Sequence, residues 1–249
     1  MRGVEIHFHA LPGLDDGPET IEESVALLRA ATADGTGTVV ATPHVRGDFV
    51  THVGDLGDRV RELDAAAAAA GLAIDLRRGG ELGHDMVGRL GQRGLEELAQ
   101  GPPGGRWLLV ETPFEPLDAL FHAALDELRD RGFGVVIAHP ERSADAILYG
   151  AVGLRRQLER GALGQVNAQS ITGAHGFGAR EAAFELILEG LLCAVSSDAH
   201  GPTRPPLLGE ARARLLGAGL SLEVCRALTF SGPRHLLARG IRSGALVVA

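Results

Sequence analysis

The 249-residue sequence contains no lysine: all 24 of its basic residues are arginine. This absence excludes Schiff-base chemistry, a phosphate loop that depends on lysine, and a carboxylated lysine bridging two metals. Cysteine is scarce, and with only Cys193 and Cys225 neither a disulfide framework nor a thiolate metal cluster is expected. A cysteine-dependent phosphatase is excluded as well, because the residues six positions after the cysteines are Ala199 and Ser231 and not arginine.

Long apolar runs are also missing. The sequence has no run of eighteen or more apolar residues and no charged-then-apolar leader, since Glu5, His7 and His9 interrupt the first apolar stretch. We therefore expect a soluble cytoplasmic protein without an integral membrane segment. The net charge is −8 and the sequence has no dense cluster of basic residues, so nucleic acid is not an expected partner. The oligomeric state is left open.

Seven short apolar runs alternate with segments of helical periodicity. The runs are VEIHF, TVVA, AIDLRRG, WLLVE, VVIAH, LGQVN and LCAVSS. The first predicted helix starts with a capping-box pattern at Thr20 and Glu23, and Gly35 follows it. Further helices are predicted at 53–70, 116–131, 154–160, 180–189 and 207–218. This alternation predicts an α/β protein with a parallel sheet, and seven repeats favour a single (β/α)7 TIM-like barrel domain over 1–249.

Imidazoles and carboxylates lie at or just after six of the seven runs. Barrel enzymes place their chemistry at the carboxyl ends of the strands, so we expect these side chains to converge. Two of them, His7 and His9, alternate with Phe8 and therefore point to the same side of a strand. Such a pair alone is weak evidence for a metal site, because it is also compatible with hydrogen-bonded or exposed histidines. The whole set favours a metal centre, with the predicted ligands His7, His9, Asp16, His44, Glu81, Glu111, His139, Asp198 and His200.

The ligand types indicate which ions such a centre would take. Nitrogen and oxygen donors without thiolate suit Mn, Fe, Zn or Mg. Nine donors exceed the needs of one ion, so we expect two or three divalent ions with carboxylates bridging them. Such a cluster lowers the pKa of a shared water and stabilises an oxyanion during in-line displacement. Its positive charge favours a phosphoryl group as the substrate.

Six motifs carry a resemblance to a known family: IHFHALPGLDDGP, ATPH, GGEL, VET, IAHPER and SSDAHGPTRPP, in this order from about residue 4 to 208. They resemble the motifs of the polymerase and histidinol phosphatase (PHP) domain, and more closely its bacterial branch of manganese-dependent protein tyrosine phosphatases. The resemblance implies a distorted seven-stranded β/α barrel of PHP type with a trinuclear manganese site on the nine residues above. It also implies a phosphotyrosine-containing partner, the tail of a capsule or exopolysaccharide tyrosine kinase.

Two arginines match positions that hold the substrate phosphate in that family, Arg142 in HPER and Arg204 in TRPP. A guanidinium placed just beyond a metal ligand can bind phosphate oxygens in a bidentate way. The sequence departs from the family at Glu5, where Asp is common. It also departs after His44, where VRGDFVTHVGD has fewer basic and aromatic residues than a phosphotyrosine site suggests. We predict a protein tyrosine phosphatase acting through a metal-bridged hydroxide.

Three alternatives remain open. One is a small-molecule phosphatase of the same superfamily, such as a histidinol phosphatase, and another is a catalytically silent metal-binding PHP module. The third is an amidohydrolase, which also begins with His-x-His but usually requires a carboxylated lysine. Asn167 and Gln169 are further candidates to face the ligand, and SITGAHGFGAR is predicted to be a loop bordering the substrate. Five histidines without a motif are expected to be exposed or locally hydrogen-bonded: His52, His84, His122, His175 and His235.

Overall fold

The computed structural model describes residues 2–241, so residue 1 and residues 242–249 of the predicted domain lie outside the described part. All strand pairs in it are parallel, in one sheet of order β1-β2-β4 and a second of order β3-β5-β6-β7-β8-β9. Strands β1 to β9 span Gly3–Glu5, Thr36–Ala41, His44–Val45, Asp75–Arg78, Glu81–Leu82, Trp107–Glu111, Gly134–Ala138, Leu163–Asn167 and Leu192–Ser196. The predicted α/β class with parallel strands is confirmed.

Each of the seven predicted runs overlaps a strand, but the second and third strands are each broken near their carboxyl ends. β2 and β3 are separated by Thr42 and Pro43, and β4 and β5 by Gly79 and Gly80. The two glycines permit a close approach, because a Cβ atom at Gly79 would lie 2.6 Å from Val40 and one at Gly80 would lie 2.7 Å from Leu98. After these breaks, His44 and Glu81 are paired directly across β3 and β5.

The segment after β1 connects the two sheets. Phe8 forms an isolated parallel bridge with Ala199, next to the end of β9. His9 N donates to Ala199 O at 2.9 Å, and Thr42 N donates to Phe8 O at 2.8 Å. Residues 7–9 therefore lie between the end of β2 and the segment that follows β9. Within residues 2–241 the strands still form two sheets, so closure into a distorted barrel stays a prediction.

The six predicted helices are present, with their ends shifted by at most three residues. Five more, α3, α5, α7, α10 and α11, were not predicted. The capping box is formed, since Glu23 N donates to Thr20 Oγ1 at 3.2 Å and Thr20 N donates to Glu23 Oε2 at 3.3 Å. The α-helices α1 to α11 span Ile21–Ala33, Leu56–Ala69, Gln92–Leu98, Ala119–Asp130, Ala144–Leu148, Val152–Glu159, Ala168–Thr172, Phe177–Leu188, Leu208–Gly217, Leu222–Arg226 and Gly232–Arg239.

Most of SITGAHGFGAR is helical, because it includes the end of α7 and the start of α8. The prediction of a loop over this whole segment is therefore wrong; only the turn at residues 173–176 is non-helical. None of the helices in residues 2–241 is long and apolar enough to span a membrane. The cytoplasmic location stays a prediction.

Replacing Phe8 by alanine tests how strongly the core fixes the segment that carries His7 and His9. Phe8 is fully buried, so Phe8→Ala should lower the free energy of unfolding by about 3–5 kcal/mol. Urea denaturation of the metal-free protein measures this. Leu120→Ala is the control, since Leu120 is 71% exposed and its loss should change the free energy by no more than about 0.5 kcal/mol. Equal small effects of both substitutions would contradict the described packing.

Candidate metal centre

His7 and His9 place their Nε2 atoms 3.2 Å apart at the carboxyl end of the strands. Glu81 Oε2 lies 3.2 Å from His7 Nε2 and 3.4 Å from His9 Nε2. Asp198 Oδ1 lies 3.3 Å and 3.2 Å from the same two nitrogens. His7, His9 and Asp198 each offer one ligand atom within 4.8 Å of the other two, so these three buried side chains fit the ligands of one divalent ion.

The remaining predicted ligands surround this set. His139 Nε2 lies 2.8 Å from Glu81 Oε1, and His44 Nδ1 lies 2.9 Å from Glu81 Oε2. His200 Nε2 lies 3.1 Å from Asp16 Oδ1. All nine predicted residues fall into four overlapping groups, in each of which one ligand atom per residue lies within 4.8 Å of the ligand atoms of the other members. The groups are His9/Asp16/His44/His200, His7/His9/Asp198, His7/Glu81/His139 and His44/Glu81/Glu111. Glu81 and three histidines belong to two groups each, and of these four residues Glu81 has the two carboxylate oxygens that a bridging ligand needs.

Several buried ligand atoms of the centre have no hydrogen-bond partner, as expected of atoms that bind a metal. Among residues 2–241, eight buried side-chain nitrogen or oxygen atoms have no hydrogen-bond partner, and five of them belong to predicted ligands. An unpaired buried polar atom is costly, so this concentration is explained if the atoms bind cations. The five are His44 Nδ1, Glu81 Oε2, His139 Nδ1, Asp198 Oδ1 and His200 Nε2. The residues present therefore fit a divalent metal cluster.

Two side chains that were not predicted as ligands orient the histidine pair. Asp15 Oδ2 lies 2.7 Å from His9 Nδ1, and Gln165 Oε1 lies 2.9 Å from His7 Nδ1. Each contact leaves the Nε2 atom of that histidine directed at the centre, which is the usual way in which outer residues fix a ligating imidazole. The sequence carried a signal for Gln165, which is polar at alternate spacing with Asn167 in an otherwise apolar strand.

The loop after β9 is fixed to β1 by Glu5, the residue that departs from the family motif. Its carboxylate accepts hydrogen bonds from Ser197 N at 2.7 Å and Ser197 Oγ at 2.5 Å. Burial raises the pKa of Glu5 to about 7, although the two Ser197 bonds act in the opposite direction. Asp198, which follows Ser197, is in the left-handed region with φ 49°. By holding Ser197, the buried Glu5 supports the backbone that directs Asp198 at the centre.

The two predicted phosphate-binding arginines meet at the rim of the centre. Arg204 Nη2 donates to Asp198 Oδ2 at 2.8 Å and Arg142 Nη1 donates to the same oxygen at 3.5 Å. Arg204 also reaches Asp16 Oδ2 at 3.3 Å. Asn167 Nδ2 donates to Asp198 Oδ2 at 2.7 Å, whereas Gln169 donates to Pro205 O and supports the loop that carries Arg204.

A third arginine, Arg46, was not predicted. Its Nη1 donates to Glu111 Oε1 at 2.8 Å, and its guanidinium lies 5.1 Å from the centroid of the Phe49 ring. The Phe49 ring in turn stacks on His44 at 5.2 Å. The segment after His44, although poor in basic and aromatic residues, therefore places one of each directly against predicted ligands.

The centre is strongly polarised. Burial raises the pKa values of Glu81 and Asp198, but the neighbouring histidines outweigh it and hold both pKa values well below the usual range. Burial likewise lowers the pKa of His7 and His9, yet the surrounding carboxylates raise both pKa values above 6.5. The buried carboxylates and the His7/His9 pair thus favour each other's charged forms.

Comparison with known proteins gives the family. A family model described as "Capsular polysaccharide synthesis, CpsB/CapC" matches residues 3–238. The chain belongs to this family. This match confirms the family resemblance identified from the sequence motifs.

Two curated relatives and one solved structure illustrate the likeness. The "Putative tyrosine-protein phosphatase CapC" of Staphylococcus aureus is 30% identical over 210 residues, which cover 82% of this chain and 80% of that protein. The "Tyrosine-protein phosphatase CpsB" of Streptococcus pneumoniae is 27% identical over 94% of this chain and 98% of its own length. A chain from "Crystal structures of YwqE from Bacillus subtilis and CpsB from Streptococcus pneumoniae, unique metal-dependent tyrosine phosphatases" shares the fold, with TM-score 0.81, 24% identity and 99% coverage of both chains.

Metal binding to this CpsB/CapC family member should release protons. Metals bind neutral imidazole, and the surrounding carboxylates raise the pKa values of His7 and His9 above 6.5 although burial lowers them, so bound metal must displace protons from this pair. Affinity for Mn²⁺ should therefore increase as the pH rises towards the raised pKa values and level off above them. Titration calorimetry of the metal-free protein in two buffers with different ionisation enthalpies measures the protons released.

Asp15→Asn is the matched variant for this experiment. Asp15 raises the pKa of His9 through its hydrogen bond and charge, so the amide should reduce proton release near pH 6.5. Identical heats in both buffers for the unmodified protein would contradict the raised pKa values of His7 and His9.

Proposed function

We propose that this chain is a single PHP-type, metal-dependent protein tyrosine phosphatase domain. The observation that carries the proposal is the convergence of nine nitrogen and oxygen ligand residues with two arginines at their rim, in a member of the CpsB/CapC family. The proposal includes closure of the two sheets into a distorted seven-stranded barrel. The bridge between Phe8 and Ala199 supports that closure.

We propose that the nine residues hold two or three divalent ions, with manganese as the first candidate and Fe, Zn or Mg as others. The overlap of the ligand groups at Glu81 supports more than one ion. When bound, such ions supply a water of lowered pKa and stabilise negative charge on a phosphoryl group. The absence of thiolate ligands suits oxygen-preferring and borderline metals.

The arginines provide binding and orientation. Arg204 is 31% exposed and Arg142 is 21% exposed in their side chains, so both are accessible from solvent while they contact the buried Asp198. A phosphate dianion arriving at the rim can replace part of these carboxylate contacts with charge-assisted hydrogen bonds to the same guanidinium groups. Two guanidinium groups fixed in this way hold the phosphoryl group and stabilise its charge as the ester bond breaks.

A phenolic leaving group suits this site. The pKa of tyrosine is about 10, so its phenolate departs more easily than an alkoxide and depends less on a proton donor. We propose a phosphotyrosine-containing protein as substrate, the tail of a bacterial tyrosine kinase of capsule or exopolysaccharide synthesis. The names of the curated relatives support this substrate class.

The substrate class is tested with the Mn²⁺-loaded full chain. Hydrolysis of a phosphotyrosine peptide should exceed that of histidinol phosphate in kcat/KM. A preference for histidinol phosphate would replace the proposal by a small-molecule phosphatase, and no hydrolysis of any phosphoester by a metal-loaded chain would favour a silent module.

The division of roles is tested on the same protein. His139→Ala should lose bound metal together with activity, whereas Arg204→Ala should keep its metal and lose about 10²–10³ in kcat/KM. Arg214→Ala is the control, because Arg214 is an exposed arginine on α9 that pairs with Glu210 and its loss should leave both metal content and rate unchanged. Loss of metal in Arg204→Ala would show that this arginine maintains the centre.

A further inference from the structure

A cavity of about 650 Å³ lies beside the centre, between α1 and the turn that carries Arg204. Three of its lining residues, Asp16, His200 and Arg204, belong to the proposed active site. The cavity is therefore continuous with the position proposed for the phosphoryl group.

Its other walls are mainly apolar. On one side Ala26, Leu27 and Ala30 of α1 line it, and on the other side Pro202, Pro205 and Pro206 do. Glu23 is the one ionisable lining residue outside the centre, and its carboxylate already accepts hydrogen bonds from Glu19 N and Thr20 N. Arg204 is the one arginine of the lining, and Asp16 and Asp198 already engage it. The cavity thus suits an apolar group better than an acidic one.

The proline wall is held in place by hydrogen bonds. His200 N donates to Arg204 O at 2.9 Å, and Arg204 N donates to Gly201 O at 3.1 Å. Gln169 Nε2 donates to Pro205 O at 3.1 Å. A wall of prolines fixed in this way loses little conformational entropy when a ligand binds.

The cavity on the other flank of the centre differs. It has a volume of about 350 Å³ and includes Arg46, Asp48, Asp85, Glu111 and Glu115 in its lining. The two flanks of the centre therefore offer a charged surface and an apolar one.

We infer that the cavity between α1 and the proline wall binds the apolar side chain of the residue next to the phosphotyrosine in the substrate protein, and that Ala26 and Ala30 set this specificity. The inference rests on the proposed function. With the phosphoryl group at Arg204, the phenol ring leads outward along the cavity, and the adjoining residue follows one extended step of about 3.3–3.6 Å from the tyrosine Cα. The cavity volume lies in the range of about 300–1,000 Å³ that accepts drug-sized groups, so it has room for more than a phenol ring.

Filling the cavity tests the inference. Both alanines are exposed on α1, so Ala26→Phe and Ala30→Phe should fold.

The probes are the blocked tripeptides Leu-phosphotyrosine-Leu and Gly-phosphotyrosine-Gly, and p-nitrophenyl phosphate. The unmodified Mn²⁺-loaded protein should prefer the leucine peptide, and each phenylalanine variant should lose about tenfold or more in kcat/KM on it, through KM. On the glycine peptide and p-nitrophenyl phosphate the variants should change less than about twofold. Ala33→Phe, an exposed position of α1 outside the cavity lining, is the matched control.

The outcomes separate the two proposals. Absence of phosphatase activity on all three probes in the unmodified protein would overturn the proposed function. Activity without a preference for the leucine peptide would overturn the inference alone. Equal losses on all probes in the phenylalanine variants would also overturn it, because the cavity would then accept only the phenol ring or act through the centre. Thermal unfolding and metal content of each variant establish that it is folded and loaded.

Discussion

The rest of the structure depends on one electrostatic constraint, the burial of Glu81 and Asp198 together at the carboxyl ends of the strands. A carboxylate removed from water must be compensated by opposite charge. Around Glu81 the partners are four imidazoles from three segments, at His7, His9, His44 and His139. Protons favour compensation of the carboxylates at low pH, and divalent cations bound as proposed would compensate them at neutral pH and satisfy the lone pairs that remain. The burial that would destabilise the metal-free protein near neutrality would then give the centre its affinity for metal.

The backbone is shaped to keep these donors together. Two strands are broken just before His44 and Glu81, and the segment after β1 lies between the ends of β2 and β9. His139 and Asp198 adopt left-handed backbone conformations, with φ 37° and 49°, which non-glycine residues rarely adopt. Strained backbone conformations persist only where surrounding contacts hold them in place, and they are common at functional sites. Glu5 and Asp15 lie outside the predicted ligand set, yet both fix residues of the centre.

Much of this arrangement could be predicted from the sequence, because it follows from the spacing of apolar residues and from the position of polar residues at the ends of the apolar runs. Apolar runs marked all seven strand regions, and parallel strands bring their carboxyl ends to one edge, so the nine ligand candidates could be chosen without coordinates. The break in the third strand could not be predicted, since it depends on how closely Gly79 and Gly80 approach neighbouring side chains. Arg46 was missed because its role comes from a contact with Glu111, which is distant in sequence. Gln165 was marked by its alternation with Asn167, but its contact with His7 was not predicted.

We expect the phosphatase activity of this protein to depend on ions bound by the converging side chains. Elemental analysis of the purified full chain tests this, with the hydrolysis rate of a phosphotyrosine peptide followed on the same sample while metal is removed and returned. Two or three divalent ions per chain are expected, with a rate that rises and falls with their occupancy. Turnover that persists in a chain free of metal would contradict it.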